Sequence, residues 1–217
     1  MRSIWITRHG NRLDFVDPNW VKCATFPFDP PLSSDGIEQA RQTAAALQGT
    51  GISRVVSSPF LRCMQTAVEI VDALDVPIVL EWGLSEWFNP CWFPSRPELV
   101  VANRSNRSDP RIDLNHVSLV RPEFPETKVQ MYERVALTAR LLIRAGDGDE
   151  LWVGHGASVQ GSVAGLLGVR PKEADGVLPG VPCCCLTRLV ETPGGWSLER
   201  TCDTSHLSEV TAANRFN

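Results

Sequence analysis

Apolar positions along the chain recur with two periods. Ile4-Trp5-Ile6 is a short apolar run ending at Thr7-Arg8-His9-Gly10, where the glycine lets the backbone depart sharply, and it predicts a first strand. Residues 11 to 32 hold Pro18, Pro27, Pro30 and Pro31 without a sustained period, which predicts a long loop beyond that strand's carboxyl end. Ser33-Ser34-Asp35 supplies capping side chains, and Ile37, Ala40, Ala44 and Leu47 recur at helical spacing until Gly49 and Gly51 end the element. Ile52 to Ser57 predicts a second strand. Ser58-Pro59 then reads as an N-cap with proline at the first helical position, and Leu61, Met64, Val68, Val71 and Leu74 form the helix's apolar stripe.

Pro77 to Leu80 predicts a third short strand. Trp82 to about Pro125 is irregular and rich in Pro, Asn, Arg and Trp, as an insertion that serves as a lid or binding segment would be. Val129, Tyr132, Val135, Ala136, Ala139 and Ile143 trace a helix ended by Gly146, and Leu151-Trp152-Val153 is a further strand broken by Gly154-His155-Gly156. Cys183 to Val190 and Trp196 to Thr201, joined by Thr192-Pro193-Gly194-Gly195, predict a hairpin at or near a sheet edge. Strands alternating with helices imply an α/β fold with a mostly parallel central sheet and right-handed crossovers.

Composition narrows the picture. At 217 residues with 43% hydrophobic side chains, the chain suits one domain spanning 1-217, with the insertion at about 82-125 inside it. A net charge of -4 argues against broad binding to a nucleic-acid backbone. No apolar run reaches the roughly 18 residues of a spanning helix, and the start of the chain turns polar too soon for a signal peptide. The seven cysteines form no CxxC pair, so reduced thiols and a cytoplasmic setting are expected.

Two of the four histidines sit in His-Gly steps directly after apolar strands, Arg8-His9-Gly10 and Gly154-His155-Gly156. A single histidine at a strand end is commonly a hydrogen-bonded structural residue. Matching contexts weigh against that reading, because ligands bind at the carboxyl ends of strands in open α/β sheets. Arg8 abuts the first histidine, Arg12 lies just beyond it, and Arg62 falls in the first turn of the helix after Ser58-Pro59. Guanidinium forks hold phosphate oxygens bidentately, and a helix N-terminus adds to the attraction.

Thr7-Arg8-His9-Gly10, the segment Asp29 to Ala40, Ser57 to Ala67 and Gly154-His155-Gly156 together resemble, in order, the motifs of the histidine phosphatase superfamily. This broad group includes the cofactor-dependent phosphoglycerate mutases. Arg8 to Asp14 and Gly83-Leu84-Ser85-Glu86-Trp87 are similar to the phosphatase domains of the suppressor of T-cell receptor signalling and ecdysteroid phosphatase group. The resemblance implies a three-layer α/β/α, phosphoglycerate mutase-like fold. It also implies a phosphatase in which His9 attacks phosphorus, Arg8, Arg12, Arg62 and His155 surround the phosphoryl group, and Glu86 protonates the leaving oxygen. Asp14 and Asp29 are the alternative acids. The substrate is a small-molecule or protein phosphate ester, with phosphotyrosine, aryl, steroid and sugar phosphates all open, and a homodimer is left open.

Mutases of the group carry a serine and a downstream asparagine after Arg-His-Gly, whereas Asn11-Arg12-Leu13-Asp14 follows here. A binding module with lost turnover gains no support, since every expected catalytic position is present. No carboxylate-histidine spacing supports a metal, and no cofactor is expected. Cys183-Cys184-Cys185, taken as a strand, alternates faces and cannot converge on one ion, so these read as small buried hydrophobes. Trp82, Trp87, Trp92, Phe88 and Phe93 either line a substrate entrance or pack the insertion onto the core. His206 reads as part of a solvated or loop-capping tail, and His116 is unassigned.

Overall fold

The computed structural model describes residues 1–102 and 109–208. Residues 103–108 of the predicted insertion and those from 209 onward lie outside this range. Six strands form one sheet: β1 (Ser3–Arg8), β2 (Ile52–Ser57), β3 (Ile78–Leu80), β4 (Asp149–Gly154), β5 (Leu186–Thr192) and β6 (Gly195–Asp203). Their order is β3-β2-β4-β1-β5-β6. The first four run parallel, while β5 is antiparallel to β1 and to β6. The predicted hairpin therefore closes one edge of a mostly parallel sheet.

Helices cover both faces, and the strand pleat explains which residue meets which. Trp5, Val55, Ile78, Leu80, Leu151 and Val153 pack with α3 (Ser34–Leu47) and α4 (Leu61–Leu74). Their neighbours Ile4, Ile6, Val56, Val79 and Trp152 pack with α5 (Lys128–Ala145) and α6 (Gly156–Leu166). Continuous apolar runs are what a parallel sheet buried on both sides requires. Phe60 and Phe88 are fully buried in the first cluster, each contributing about 1.5–3 kcal/mol of burial.

Several local readings change. The loop after β1 contains two four-residue helices, α1 (Leu13–Val16) and α2 (Trp20–Cys23). Helix α4 starts at Leu61, with Phe60 rather than Ser58 as its N-cap. The first-turn N–H of Leu61 donates instead to Asp29 Oδ1 at 2.8 Å, a cap supplied from the preceding loop. Tyr132, Val135, Ala136 and Ala139 are buried on α5 as expected, whereas Val129 is exposed and Ile143 only partly buried, and Met131, Thr138 and Leu142 complete the inner face. Cys183–Cys185 lie in a turn before β5, with Cys184 at φ 54°, so strand alternation is not what separates them; all three are nonetheless buried. Helix α6 has almost no polar face because it is buried nearly throughout, which is why its periodicity is weak.

The described part of the insertion is largely irregular, with two short 3-10 turns at Trp82–Leu84 and Val100–Ala102. It leans on the open edge of the sheet, where Asp113 N–H donates to the carbonyl of Ile78 at 2.8 Å and Ile78 N–H to that of Arg111 at 2.9 Å.

Candidate active site

The parallel strands deliver their carboxyl ends to one rim. Because β1 and β4 are neighbours with Arg8 opposite Gly154, the two His-Gly steps leave the sheet side by side. The ring centroids of His9 and His155 lie 5.3 Å apart, edge to face. Both rings are fully buried beneath a cavity of about 540 Å³ whose wall includes Arg8, Arg12, Arg62 and Glu86.

His9 Nδ1 lies 2.7 Å from the carbonyl oxygen of Gly10. A carbonyl only accepts, so Nδ1 carries the proton and Nε2 keeps the lone pair. Burial, then the charges of Arg62 and Arg8, hold its pKa well below the usual 6.5 despite the Gly10 carbonyl. The ring is neutral. Gly10 N–H donates to Thr66 Oγ1 at 3.1 Å, which fixes the strand exit against α4.

His155 has the opposite tautomer. Arg62 Nη2 sits 3.1 Å from its Nδ1, and a guanidinium only donates, so Nδ1 accepts and Nε2 donates to Ser58 Oγ at 2.8 Å. Burial, then Arg62 and His9, lower its pKa well below 6.5 as well. The Phe60 ring supports both partners, standing edge-on to His155 at 4.9 Å and lying beneath the Arg62 guanidinium at 4.6 Å. Ser58 thus serves the site, while its Oγ also accepts from the N–H of Phe60 at 3.4 Å.

Arg62 is buried, and its Nε and Nη1 have no hydrogen-bond partner among the described residues. Burial lowers its pKa, although guanidinium basicity leaves it charged. Arg8 donates from Nη1 to the carbonyl of Val181 at 2.9 Å, while its Nε has no partner among the described residues. Arg12 also reaches the cavity wall, but Nε and Nη2 are engaged by Asp14 at 3.0 and 2.5 Å. Glu86 Oε2 lies 3.6 Å from Arg62 Nη2 and 3.4 Å from His155 Nδ1, with Oε1 accepting from Trp87 N–H. Such a site offers a neutral nucleophile, several unspent cationic donors and a carboxylate, the set that phosphoryl transfer to nitrogen needs.

Of the two alternative acids, Asp14 lines the same cavity and Asp29 does not. Asp29 is fully buried, its oxygens bound to the N–H groups of Leu61 and Val100, and Asp14 is paired with Arg12. The aromatic residues divide: Phe88 is core, whereas Trp92 and Phe93 join Phe15 and Phe28 along the cavity. His206 bonds Thr43 and the Cys184 carbonyl, and His116 pairs with buried Glu81; neither reaches the cavity. Sequence reading missed Ser58, Thr66, Glu126 and Arg134. A charged residue at the spacing of a buried stripe was the one available signal for Arg134.

Among the described residues no helix is long and apolar enough to cross a membrane. Comparison with known proteins adds to the geometry. The ecdysteroid-phosphate phosphatase of Drosophila melanogaster is 27% identical over 91% of this chain, and ubiquitin-associated and SH3 domain-containing protein A of Mus musculus is 30% identical over 79%. The chain spans about a third of each of these relatives, 31% and 34%. The crystal structure of the ecdysone phosphate phosphatase from Bombix mori in complex with tungstate has the same fold, with a TM-score of 0.79 at 22% identity over 100% of this chain and 98% of that one. Residues 4–204, all four motifs among them, match the sequence profile of the histidine phosphatase superfamily, branch 1, and the chain belongs to that family.

Proposed function

We propose that this chain hydrolyses phosphate monoesters through a phosphohistidine on His9. The observation that carries the reading is the pinned tautomer of His9, whose Nδ1–H is held by Gly10 while Nε2 keeps its lone pair beside Arg62. Nε2 attacks phosphorus, the bond from phosphorus to the ester oxygen breaks, and Glu86 gives its proton to the departing alkoxide. Water then attacks the phosphohistidine as Glu86 takes back a proton, releasing phosphate and the free imidazole. Arg8, Arg62 and His155 stabilise charge on the equatorial oxygens, with Arg12 as a further support at the wall. The whole of 1-217 acts as one phosphatase domain, and 82-125 is the insertion that brings in the acid.

The alcohol part of the substrate is aromatic or polycyclic, such as an aryl, tyrosyl or steroid phosphate. Phe15, Phe28, Trp92 and Phe93 give the cavity apolar walls beyond the arginines, and a relative is named for an ecdysteroid phosphate. The unpaired state of all seven cysteines supports a cytoplasmic setting. Rapid quenching of a reaction with radiolabelled ester should yield acid-labile, base-stable protein-bound phosphate in the parent and none in His9→Ala. Turnover by a folded His9→Ala protein would overturn the mechanism. Since arginines carry the neutralising charge, activity should survive exhaustive chelation; its loss and recovery with one divalent cation would refute metal independence.

A further inference from the structure

The segment that presents Glu86 is fastened from behind by a buried ion pair outside the cavity. Arg134, on α5, binds Glu126 through Nε at 2.6 Å and Nη2 at 2.8 Å, and both side chains are about 5% exposed. The rest of the fork goes to main chain. Nη1 donates to the carbonyls of Gly83 at 2.8 Å and Ser85 at 3.2 Å, and Nη2 also donates to the carbonyl of Glu86 at 3.2 Å. Glu126 in turn accepts from Phe88 N–H at 3.3 Å, and its carbonyl accepts from the Trp87 indole at 2.9 Å. Gly83 lies so close to α5 that a Cβ there would sit 2.1 Å from Thr138 Oγ1.

A buried ion pair is by itself weak evidence for stability, because apolar side chains of similar volume do as well or better. Here, however, the guanidinium spends its remaining donors on three carbonyls at and just before one carboxylate. We propose that Arg134, clamped by Glu126, is a positioning residue that sets where the Glu86 carboxylate stands relative to the ester oxygen. The proposal rests on the reading of Glu86 as proton donor. A planar fork suits the task because its donors lie in fixed directions, so three carbonyls are held in one arrangement. Small displacements matter in general acid catalysis, where transfer requires hydrogen-bond reach.

Arg134→Lys tests this, since lysine keeps the charge beside Glu126 but cannot hold three carbonyls at once. The variant is checked for folding by circular dichroism, and orthovanadate inhibition reports on the pocket of His9, Arg8 and Arg62. Single-turnover rates are then compared on an alkyl phosphate and on p-nitrophenyl phosphate, in the parent, Arg134→Lys, Glu86→Gln and the double variant. We expect unchanged vanadate inhibition and an alkyl-phosphate rate that falls about tenfold more than the nitrophenyl rate. The double variant should be no slower than Glu86→Gln. Equal losses on both esters, or a double variant slower by the product of the two effects, would overturn the positioning role. Should Glu86→Gln show no preference for the alkyl ester, the acid assignment itself falls and the role of Arg134 with it. A biased Glu86→Gln beside an unbiased Arg134→Lys removes the clamp alone. If Arg134→Lys does not fold, Glu126→Gln, which frees the same fork, carries the same comparison.

Discussion

An imidazole attacks phosphorus only while it is neutral, and His9 is kept so by being buried among cations. The same environment has an effect on stability whose sign can be worked out. The unfolded chain takes up a proton on this residue as pH falls through 6.5, whereas the folded chain resists until a much lower pH. Stability is therefore unaffected by this residue above 6.5 and falls below it. Over the first pH unit below that value, urea unfolding should show the oxyanion-free parent losing about 1 kcal/mol more than His9→Gln. An identical pH slope in the two proteins would show that the ring is not held neutral. His9, His155, Arg8 and Arg62 were legible because each stands at a strand end or helix start, where sequence punctuation is strong. Ser58 and Thr66 were not, since a hydroxyl's partner is set by contacts between remote segments. Arg12 was legible as a wall residue, but its pairing with Asp14 depends on the turn into α1.

At the scale of elements, the site depends on how closely the exit of β1 approaches the start of α3. A Cβ added to Gly36 would lie 2.1 Å from the Asn11 carbonyl oxygen, and one on Gly10 would lie 2.4 Å from that of Gly36. Main chain meets main chain, so nothing flexible can yield. Gly36→Ala should cost about 1–3 kcal/mol in urea unfolding by forcing the two segments apart. It should also slow turnover, because Asn11 follows directly on the His9-Gly10 step. Wild-type stability in Gly36→Ala would show that the contact relaxes freely. Strands and the helices α3 and α5 could be read from periodicity, with only Val129 and Ile143, at the two ends of α5, off the buried face. The start of α4 could not, because Asp29, some thirty residues earlier, supplies the cap.

On the scale of the whole molecule, the mostly parallel sheet and the hairpin edge were visible in the alternation of patterns, and the two helical layers in the family resemblance. What the alternation could not show was strand order, and it is the placing of β4 next to β1 that makes one site from two motifs about 145 residues apart. The cavity's aromatic wall was equally hidden, because Phe15 and Phe28 come from the loop after β1 while Trp92 and Phe93 come from the insertion. Arg62 has a consequence for the entire fold. A buried guanidinium whose Nε and Nη1 have no partner among the described residues is a desolvation cost borne by the native state, and an oxyanion that binds those donors lifts it. Folding and occupancy are thus linked. Orthophosphate at a hundred times its dissociation constant should stabilise the protein by about 2.7 kcal/mol, raising the melting temperature by several degrees. Arg62→Met should melt no lower than the parent without phosphate and gain nothing from adding it. A variant that melts far lower would show that the guanidinium stabilises the protein without phosphate, and one that still responds to phosphate would assign the linkage to other residues. Phosphate would then be at once what the proposed reaction releases and a ligand that stabilises the fold.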